Sequence, residues 1–416
     1  MRKTLLPCMI GNIIEWYEFM LYGYFATVIG TLFFPPMEGL YPLVFSFAIF
    51  SVGLFVRPIG GIVLGHIGDK LGRKKSLILS VYMMALPTAA IGLLPTYATI
   101  GALAPILLVC MRILQGFAMG GEYAGTVVSI LEHSPNKKRG LYGSLAALSL
   151  VSGMLLGSIA GASCEAFLSQ EELYTWGWRI PFFLGLVGAI WGMYMRRSLE
   201  ETGKYLDCKN ENRLSRLPIG ELFQNFPKIV QAVLVQTTLA VGIYTITIFY
   251  INFAKTIFEF TSQGTFFINA LGTVILGLST VLFGKLSDVY GRKKVMLLST
   301  ISIMVVAYPC ISLTIEGNVQ AYMTGYLTLS FLVGGVLGPL PTFLVEFFNT
   351  NVRYSAVALT NNLSMGIFGG TAPVAIAYLI QVTGTNIVPA FYLMGTAVIT
   401  ILALLSTRDD YGRELA

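Results

Sequence analysis

The chain has 416 residues, of which 55% are hydrophobic and only 12% are charged, and its mean hydropathy is +0.73. A soluble globular domain usually carries about 25% charged residues, so this chain cannot cover itself with a polar surface. The composition excludes an ordinary soluble enzyme or binding module and predicts a protein surrounded by lipid. The net charge of +6 is therefore interpreted as a signal that orients the chain in the membrane, and no nucleic-acid partner is expected.

The chain is long enough and apolar enough to cross a membrane many times. A helix needs about 20 mostly apolar residues to cross the hydrocarbon core of a bilayer. Twelve stretches meet this requirement, which predicts an all-α membrane protein. The predicted spans, numbered 1 to 12, are 8–34, 41–67, 75–95, 101–132, 139–162, 179–197, 226–254, 263–286, 294–315, 319–345, 354–381 and 387–406. Span 1 contains two glutamates and no small-residue cleavage site, so we expect it to be retained and not removed as a signal peptide.

Lys and Arg residues fall almost entirely on one side of these spans. If the N-terminus faces inwards, all 27 lie in inner segments except Arg57, Arg112, Arg179 and Lys255. Positive residues accumulate on the cytoplasmic side of a membrane. Both termini are therefore predicted to be cytoplasmic, in a multi-pass protein of the plasma membrane, which in a bacterium is the inner membrane.

A single long polar connection, at 198–225, interrupts the series of spans. It divides the chain near its middle, which predicts a cytoplasmic linker between two six-helix bundles. The predicted domains are an N-terminal bundle at 1–197 and a C-terminal bundle at 226–416, the latter ending in a short cytoplasmic tail. We expect the protein to be a monomer whose partners are the lipid bilayer, protons and a small-molecule substrate.

The two halves carry the same motifs in the same order. Residues 65–75 read GHIGDKLGRKK and residues 284–294 read GKLSDVYGRKK. Further along, FAMGG at 117–121 matches FLVGG at 331–335. Two ordered copies predict a duplicated six-helix unit, which is a known basis of transporter architecture.

The repeated motif places a carboxylate and several positive charges at the inner ends of spans 2 and 8. Asp69 or Asp288 can accept hydrogen bonds from exposed N–H groups at a neighbouring helix N-terminus and pair with a nearby arginine. Such a cluster would latch the two bundles together in one state, whereas the alternative is a positive cluster that only sets topology. The candidate gating residues are Asp69, Arg73, Asp288 and Arg292, with the equally spaced pairs Glu132 and Arg139, and Glu346 and Arg353.

With this repeated G-x-x-x-D-x-x-G-R-K-K motif, the chain resembles the major facilitator superfamily. Five further segments resemble the metabolite:proton symporter family within it: NIIEWYEFMLYGY at 12–24, RPIGG at 57–61, RILQGFAMGGEYAG at 112–125, WGWRIPFFLG at 176–185 and VRYSAVAL at 352–359. That family includes proline/betaine, 2-oxoglutarate, citrate and shikimate transporters, and the resemblance is strongest to the proline/betaine type. It implies two bundles around a central cavity, alternating access and proton-driven uptake.

Three carboxylates within the predicted spans are candidates for proton coupling. Ionisable groups inside spanning helices are costly unless paired or hydrated, so each is a functional candidate. Glu15 and Glu18 lie three residues apart on span 1 and share a face. Two carboxylates in a low-dielectric cavity repel each other, so one is expected to take up a proton near neutral pH; simple hydration near the inner interface is the alternative. Glu122 on span 4 is the third candidate.

Span 4 carries polar residues at i, i+3, i+7 and i+10, which predicts one continuous stripe that lines a cavity. The stripe consists of Arg112, Gln115, Met119 and Glu122. Arg112 could clamp a substrate carboxylate, or it could hold Glu122 and Glu15 ionised. Gln115 is a further candidate substrate-binding residue. The alternative is a salt bridge that only fixes helix packing.

Other candidate substrate-binding residues are Arg57, Tyr244 and Asn362. Arg57 precedes Pro58 in span 2, where the backbone hydrogen bonding is loosened. It is either a partner for a carboxylate of span 1 or a clamp for an anionic substrate. Tyr244 and Asn362 fall where the family resemblance places cavity positions, and an aromatic face suits an ammonium group; ordinary helix packing is the alternative.

The second half does not repeat the charges of the first. Tyr326 and Val336 stand at the repeat positions of Arg112 and Glu122, so proton chemistry is predicted for the first half. The favoured function is proton-coupled import of a small polar organic solute, best a zwitterion such as proline or betaine. The nearest alternative is a mono-, di- or tricarboxylate:proton symporter, and a different class is a non-transporting sensor or scaffold on the same fold.

No catalytic, metal or cofactor site is predicted. The sequence shows no nucleophile–base set, no phosphate-binding loop and no cluster with metal-ligand spacing, so an enzyme is not expected. The cysteines form no C-x-x-C pair and are interpreted as small packed residues without a disulfide framework. They are Cys8, Cys110, Cys164, Cys208 and Cys310.

Overall fold

The computed structural model describes residues 2–71, 73–197, 226–257, 262–315, 318–348 and 353–407. These residues form twelve long helices, so the predicted all-α membrane fold with two bundles of six is confirmed. The proposed linker at 198–225, which includes Cys208, and the tail at 408–416 lie outside the described residues.

Each of the twelve helices coincides with one predicted span. The first six are α1 (Arg2–Tyr24, then Ala26–Phe33), α2 (Tyr41–Leu71), α3 (Arg73–Leu93), α4 (Leu103–Ala118, then Glu122–Glu132), α5 (Arg139–Phe167) and α6 (Ile180–Arg197). The last six are α7 (Phe226–Val235, Thr237–Tyr244, π-helical Thr245–Phe249 and Tyr250–Ile257), α8 (Ser262–Tyr290), α9 (Arg292–Ile315), α10 (Val319–Leu337, then Leu340–Phe347), α11 (Arg353–Ser364, π-helical Met365–Gly369 and Thr371–Thr383) and α12 (Val388–Ser406). Helices α2 and α8 run past their predicted ends because the helical backbone continues through the repeated motif after the apolar stretch has ended.

The outside of the molecule is apolar. By length and composition, nine helical stretches of the described residues could cross a bilayer, and Ile78–Leu93 of α3 is a shorter apolar helix. Large apolar side chains such as Leu184, Leu278 and Leu402 are more than half exposed on the outer surface. A surface of this kind is stable only against lipid tails. The chain is therefore a multi-pass membrane protein.

Glycines let α2 and α4 touch backbone to backbone. A Cβ atom on Gly116 would meet the carbonyl oxygen of Gly53. Helix α4 is interrupted between Ala118 and Glu122, and the intervening Gly120 lies against the backbone of α2. Small residues permit such close approach between membrane helices, so the glycines fix where the two helices cross.

The second half contains the matching crossing. Helix α10 is interrupted between Leu337 and Leu340, and a Cβ atom on Gly338 would meet the carbonyl oxygen of Thr280 on α8. The first interruption lies within the matched FAMGG segment, and the second lies just after the matched FLVGG segment. The sequence repeat thus coincides with a repeated helix crossing.

Candidate functional site

Two buried arginines lie at the crossing of α2 and α4. Arg57 and Arg112 are both 0% exposed. Gly53 and Arg57 are one helical turn apart on α2, and Nη2 of Arg112 lies 3.2 Å from the position that a Cβ on Gly53 would take. The absence of a side chain at Gly53 therefore allows the Arg112 guanidinium to reach the face of α2 that carries Arg57.

Aromatic rings surround the Arg112 guanidinium. Its Cζ lies 4.2 Å from the ring centroid of Phe19, 4.7 Å from Tyr22 and 5.0 Å from Phe50. Nη1 donates a hydrogen bond of 2.7 Å to Oε1 of Gln115, whereas Nε and Nη2 have no hydrogen-bond partner among the described residues. Cation–π attraction stabilises the buried charge without using these N–H donors.

Arg57 connects the two halves of the molecule. Its Nε donates a hydrogen bond of 3.1 Å to Oδ1 of Asn362 on α11, and Nδ2 of Asn362 donates one of 2.6 Å to the carbonyl oxygen of Gly120 on α4. The Arg57 Cζ also lies 5.6 Å from the ring of Trp16. Nη1 and Nη2 have no partner in the described part of the chain. Buried donors are normally satisfied, so both guanidinium groups retain hydrogen-bonding capacity.

Tyr244 on α7 completes this group of residues from the second half. It is fully buried, and its hydroxyl lies within electrostatic reach of both Arg57 and Arg112. Tyr244 and Asn362 each lie just before the π-helical segment of their helix, and such segments are frequent at functional sites. The structure thus brings together all five predicted substrate-binding residues, which are Arg57, Arg112, Gln115, Tyr244 and Asn362; we call this group the arginine site.

The three candidate coupling carboxylates line one small cavity. Glu15 and Glu18 of α1 and Glu122 of α4 share it with residues that include Ser80 of α3 and Gly192 of α6, and it is just large enough for a water molecule. The three glutamates are at most 7% exposed, and Ser80 Oγ donates a hydrogen bond of 3.2 Å to Oε2 of Glu122. We call this the carboxylate cavity. No group of three His, Cys, Asp or Glu side chains in the described residues is arranged to hold a metal ion.

The arginine site and the carboxylate cavity are separate. Within the part of the chain that the structure describes, neither arginine makes an ion pair with a carboxylate of the cavity. The sequence left open whether Arg57 and Arg112 hold the carboxylates or face a substrate. In this structure Arg57 contacts Trp16 of α1 and Asn362 of α11. Arg112 contacts aromatic rings of α1 and α2 and the amide of Gln115 on its own helix.

The continuous polar stripe predicted for span 4 is interrupted in the structure. The first helical segment of α4 ends at Ala118 and the second begins at Glu122, because the backbone of α2 lies against Gly120 between them. Arg112 and Gln115 belong to the arginine site, whereas Glu122 belongs to the carboxylate cavity. The residues of one predicted stripe therefore divide between two sites.

Two kinds of site residue were not singled out from the sequence. Phe19 and Tyr22 could have been found, because they lie four residues after Glu15 and Glu18, on the same part of α1. Thr88 on α3 hydrogen-bonds both to a glutamate of the carboxylate cavity and to the arginine site. It carries no sequence signal, since single threonines are common in membrane helices.

A hydrogen-bonded cluster joins the two halves at one end of the molecule. Both carboxylate oxygens of Asp288 on α8 accept hydrogen bonds from the start of α5, from the N–H groups of Gly140 at 2.8 Å and Leu141 at 2.9 Å. Arg292 contacts the same carboxylate at 2.8 Å and Glu346 at 3.3 Å. This is the geometry that the predicted latch requires, although its role in gating stays a prediction.

The repeated glutamate–arginine pairs are exchanged between the halves. Arg139 lies 3.7 Å from Glu346, and Arg353 lies 3.6 Å from Glu132. Each glutamate thus faces the arginine of the other half. Outside the described side chains lie the two remaining candidate gating residues, Asp69 and Arg73.

The halves also meet at the opposite end. Asn252 on α7 accepts a hydrogen bond of 2.8 Å from the Thr27 hydroxyl on α1 and donates one of 2.9 Å to the Gly23 carbonyl. The N–H of Leu40 donates a hydrogen bond of 3.0 Å to Gln381 on α11. The arginine site therefore lies between two closed ends of the molecule.

Comparison with known proteins identifies the family. Residues 3–217 match the family model described as sugar (and other) transporter. The chain is 36% identical to a putative proline/betaine transporter of Staphylococcus haemolyticus, over 97% of this chain and 86% of the relative. It is 32% identical to the proline/betaine transporter of Escherichia coli K12, over 100% of this chain and 85% of the relative.

Solved structures share the same fold. A D-xylose-proton symporter superposes with a TM-score of 0.77 at 17% identity, covering 99% of both chains. The xylose transporter XylE from E. coli, in a partially occluded inward-open conformation, gives 0.76 at 17% identity, covering 97% of this chain and 96% of that one. With these relatives at more than 30% identity along nearly its whole length, the chain belongs to the major facilitator superfamily and, within it, to the metabolite:proton symporter family.

Proposed function

We propose that this protein is a proton-coupled importer of a small zwitterionic solute of the proline or betaine kind. The relatives named proline/betaine transporters support this class of solute. In this proposal the protein catalyses no chemical reaction and works as a monomer, in the inner membrane if its source is a bacterium. Both termini are cytoplasmic, and segment 198–225 links bundles at 1–197 and 226–416.

The observation that carries the proposal is the pair of incompletely satisfied guanidinium groups between the halves. Arg57 and Arg112 are fully buried, and each has two nitrogens without a partner among the described residues. A buried, unsatisfied donor costs about 1–3 kcal/mol. A substrate carboxylate placed between these groups and the Tyr244 hydroxyl would satisfy them, because guanidinium N–H groups match carboxylate oxygens in geometry and charge.

Aromatic rings would receive the cationic end of the solute. The rings around Arg112 already stabilise one buried cation at centroid distances of 4.2–5.0 Å. Contacts of this kind contribute about 0.5–2 kcal/mol each, depending on burial. When the solute carboxylate attracts the guanidinium, the rings become available to the solute ammonium group, so one group of residues can bind both charges of a zwitterion.

The same pair of guanidinium groups supports a second candidate. Two arginines in one buried site also suit a solute with two or three carboxylates, such as citrate or 2-oxoglutarate. The names of the relatives favour a zwitterionic solute, whereas the presence of two arginines in one site favours a solute with several carboxylates. Competition experiments separate the two.

The carboxylate cavity is proposed to carry the proton. Three carboxyl groups in so small a cavity cannot all be ionised, because like charges repel strongly where water is scarce. At least one therefore holds a proton in this closed state. Proton and solute would bind different groups, so both can be present when the molecule changes conformation.

The Asp288 cluster and the exchanged ion pairs are proposed to form the cytoplasmic gate. They join α8 and α11 of the second half to α4 and α5 of the first. Opening towards the cytoplasm requires all of these contacts to break together. While these contacts are intact, the arginine site is closed to the cytoplasm, and the opposite end of the molecule can open.

Uptake by proteoliposomes that contain the full-length chain tests this proposal. Radiolabelled proline should accumulate when the outside is made acidic, and a protonophore should abolish accumulation. Unlabelled betaine should compete, and citrate and 2-oxoglutarate should compete much less. Stronger competition by citrate would move the assignment to carboxylates, and accumulation that ignores the proton gradient would refute proton coupling.

A further inference from the structure

A chain of three hydrogen bonds crosses from the arginine site to the carboxylate cavity. Arg112 Nη1 donates to Gln115 Oε1 at 2.7 Å, and Gln115 Nε2 donates to Thr88 Oγ1 at 2.7 Å. Thr88 Oγ1 lies 3.1 Å from Oε2 of Glu18. All four side chains are at most 1% exposed. The two separate sites are therefore joined through buried side chains, with no water needed between them.

We propose that Gln115 and Thr88 are positioning residues that couple proton uptake at Glu18 to solute binding at Arg112. The inference rests on the proposed function, since it assumes that Glu18 carries the proton and that Arg112 binds the solute. It adds the physical link between them. No proton passes along the chain, because an arginine stays charged and can only donate.

The direction of each hydrogen bond in the chain is fixed from the arginine end. Arg112 has no acceptor, so the amide of Gln115 must turn its oxygen towards Arg112 and its NH2 group towards Thr88. Thr88 Oγ1 therefore accepts from Gln115, and its single hydrogen remains to be donated. Two acceptors lie within reach of that hydrogen, namely Glu18 Oε2 at 3.1 Å and the Met84 carbonyl oxygen at 2.8 Å.

The protonation state of Glu18 decides between these two acceptors. An ionised carboxylate only accepts, so Thr88 donates to it in a charge-assisted hydrogen bond. A protonated Glu18 can itself donate to Thr88 Oγ1, and the Thr88 hydrogen then turns to the Met84 carbonyl. Thr88 Oγ1 and Glu18 Oε2 keep a hydrogen-bond partner in both states, so the hydroxyl can switch acceptors without losing a hydrogen bond.

The same chain transmits a change in the opposite direction. When a solute carboxylate attracts Arg112, the Gln115 oxygen loses its donor and the amide can shift or rotate. Thr88 Oγ1 then loses a donor and accepts more readily from a protonated Glu18. Coupling between two binding events is reciprocal, so solute binding should favour protonation as much as protonation favours solute binding.

Thr88→Val tests the inference because valine preserves the shape of threonine and removes both functions of the hydroxyl. Thr300→Val on α9 is the matched control: Thr300 is also buried and donates to the carbonyl four residues earlier, Met296, at 2.8 Å. Thr88→Ser keeps a hydroxyl and should retain coupling. Gln115→Met breaks the chain at a second link.

Equilibrium binding of radiolabelled proline to the purified full-length variants is measured between about pH 5.5 and about pH 8. The wild type, Thr300→Val and Thr88→Ser should bind about 10-fold more tightly at the acid end. Thr88→Val and Gln115→Met should show a change of about 2-fold or less. Size-exclusion chromatography and thermal unfolding of the purified variants show that they are folded. Because Gln115 belongs to the arginine site, Gln115→Met is compared by the pH dependence of its affinity and not by the affinity itself.

The outcomes separate the two proposals. If the wild type shows pH-dependent binding and folded Thr88→Val retains all of it, the hydrogen-bonded chain is not the link. If Thr88→Val does not fold, the pH dependence of proline affinity in folded Gln115→Met decides instead, and a full wild-type pH dependence there contradicts the proposal. If the wild type itself shows no pH dependence and no proton-driven accumulation, the proposed proton coupling fails, and this inference fails with it.

Discussion

Replacing Asp288 by Asn should weaken the proposed cytoplasmic gate by a predictable amount. The carboxylate accepts two hydrogen bonds from the start of α5, at 2.8 and 2.9 Å, and one from Arg292 at 2.8 Å. Asn can accept through one oxygen only, and its NH2 group would oppose an N–H donor. The substitution therefore removes at least one charge-assisted hydrogen bond between the halves, together with the attraction of a negative charge to a helix N-terminus.

These losses together correspond to about 2 kcal/mol, because hydrogen bonds to charged groups contribute about 1.5–3 kcal/mol. Since each 1.4 kcal/mol is about a factor of ten, the ratio of molecules open to molecules closed at this end should rise about 30-fold. A cluster that only sets topology would predict no such change, because the positive charges remain.

Distances between spin labels in proteoliposomes measure this ratio. Labels at His133 on the first half and Tyr290 on the second are suitable because both side chains are exposed near the cluster. Asp288→Asn should add a longer distance to the distribution. Glu171→Gln, an exposed carboxylate outside the cluster, is the control and should leave the distribution unchanged. An identical distribution for Asp288→Asn and this control would refute the latch.

Three further predictions concern the proposed sites. Glu18→Gln imitates a permanently protonated carboxyl, so proline counterflow should persist while accumulation driven by a pH gradient is lost; full accumulation would remove Glu18 from the coupling mechanism. Arg57→Lys cannot offer paired N–H groups, so the KM for proline uptake should rise about 10-fold, and an unchanged KM would show that Arg57 does not bind solute. Glu132→Gln removes an ion pair of 3.6 Å with Arg353 and should open the gate less than Asp288→Asn does in the spin-label assay, since Asp288 also accepts two hydrogen bonds from backbone N–H groups of the other half.

The features that follow from one helix at a time could be predicted from the sequence. Apolar length locates the twelve spans, and the buried charges of Glu15, Glu18 and Glu122 mark candidate functional groups because lipid tolerates few such residues. In each case the relevant physics is local to one helix or to one turn.

The features that depend on how helices meet could not be predicted. The Thr88 hydroxyl matters because it lies within hydrogen-bond distance of both Gln115 and Glu18, and the relative rotation of α1, α3 and α4 is not encoded in any one segment. The assignment of Arg112 and Glu122 to two different sites also depends on how helices meet. A helical wheel assumes a continuous helix, whereas close contact with α2 interrupts this one.

The two copies of the internal repeat share the charged residues of the proposed gate but not those of the arginine site. The proposed gate keeps its charged residues in both copies, and each copy supplies the partner of the other, as in the Arg353–Glu132 contact. The arginine site does not: Tyr326, at the repeat position of Arg112, accepts a hydrogen bond of 2.9 Å from Asn269 and stacks on a neighbouring tyrosine. A gate must close against both halves and so benefits from symmetry. A buried binding site needs its charges in one half only, so charges in the second copy would carry the cost of burial without adding to solute binding or proton coupling.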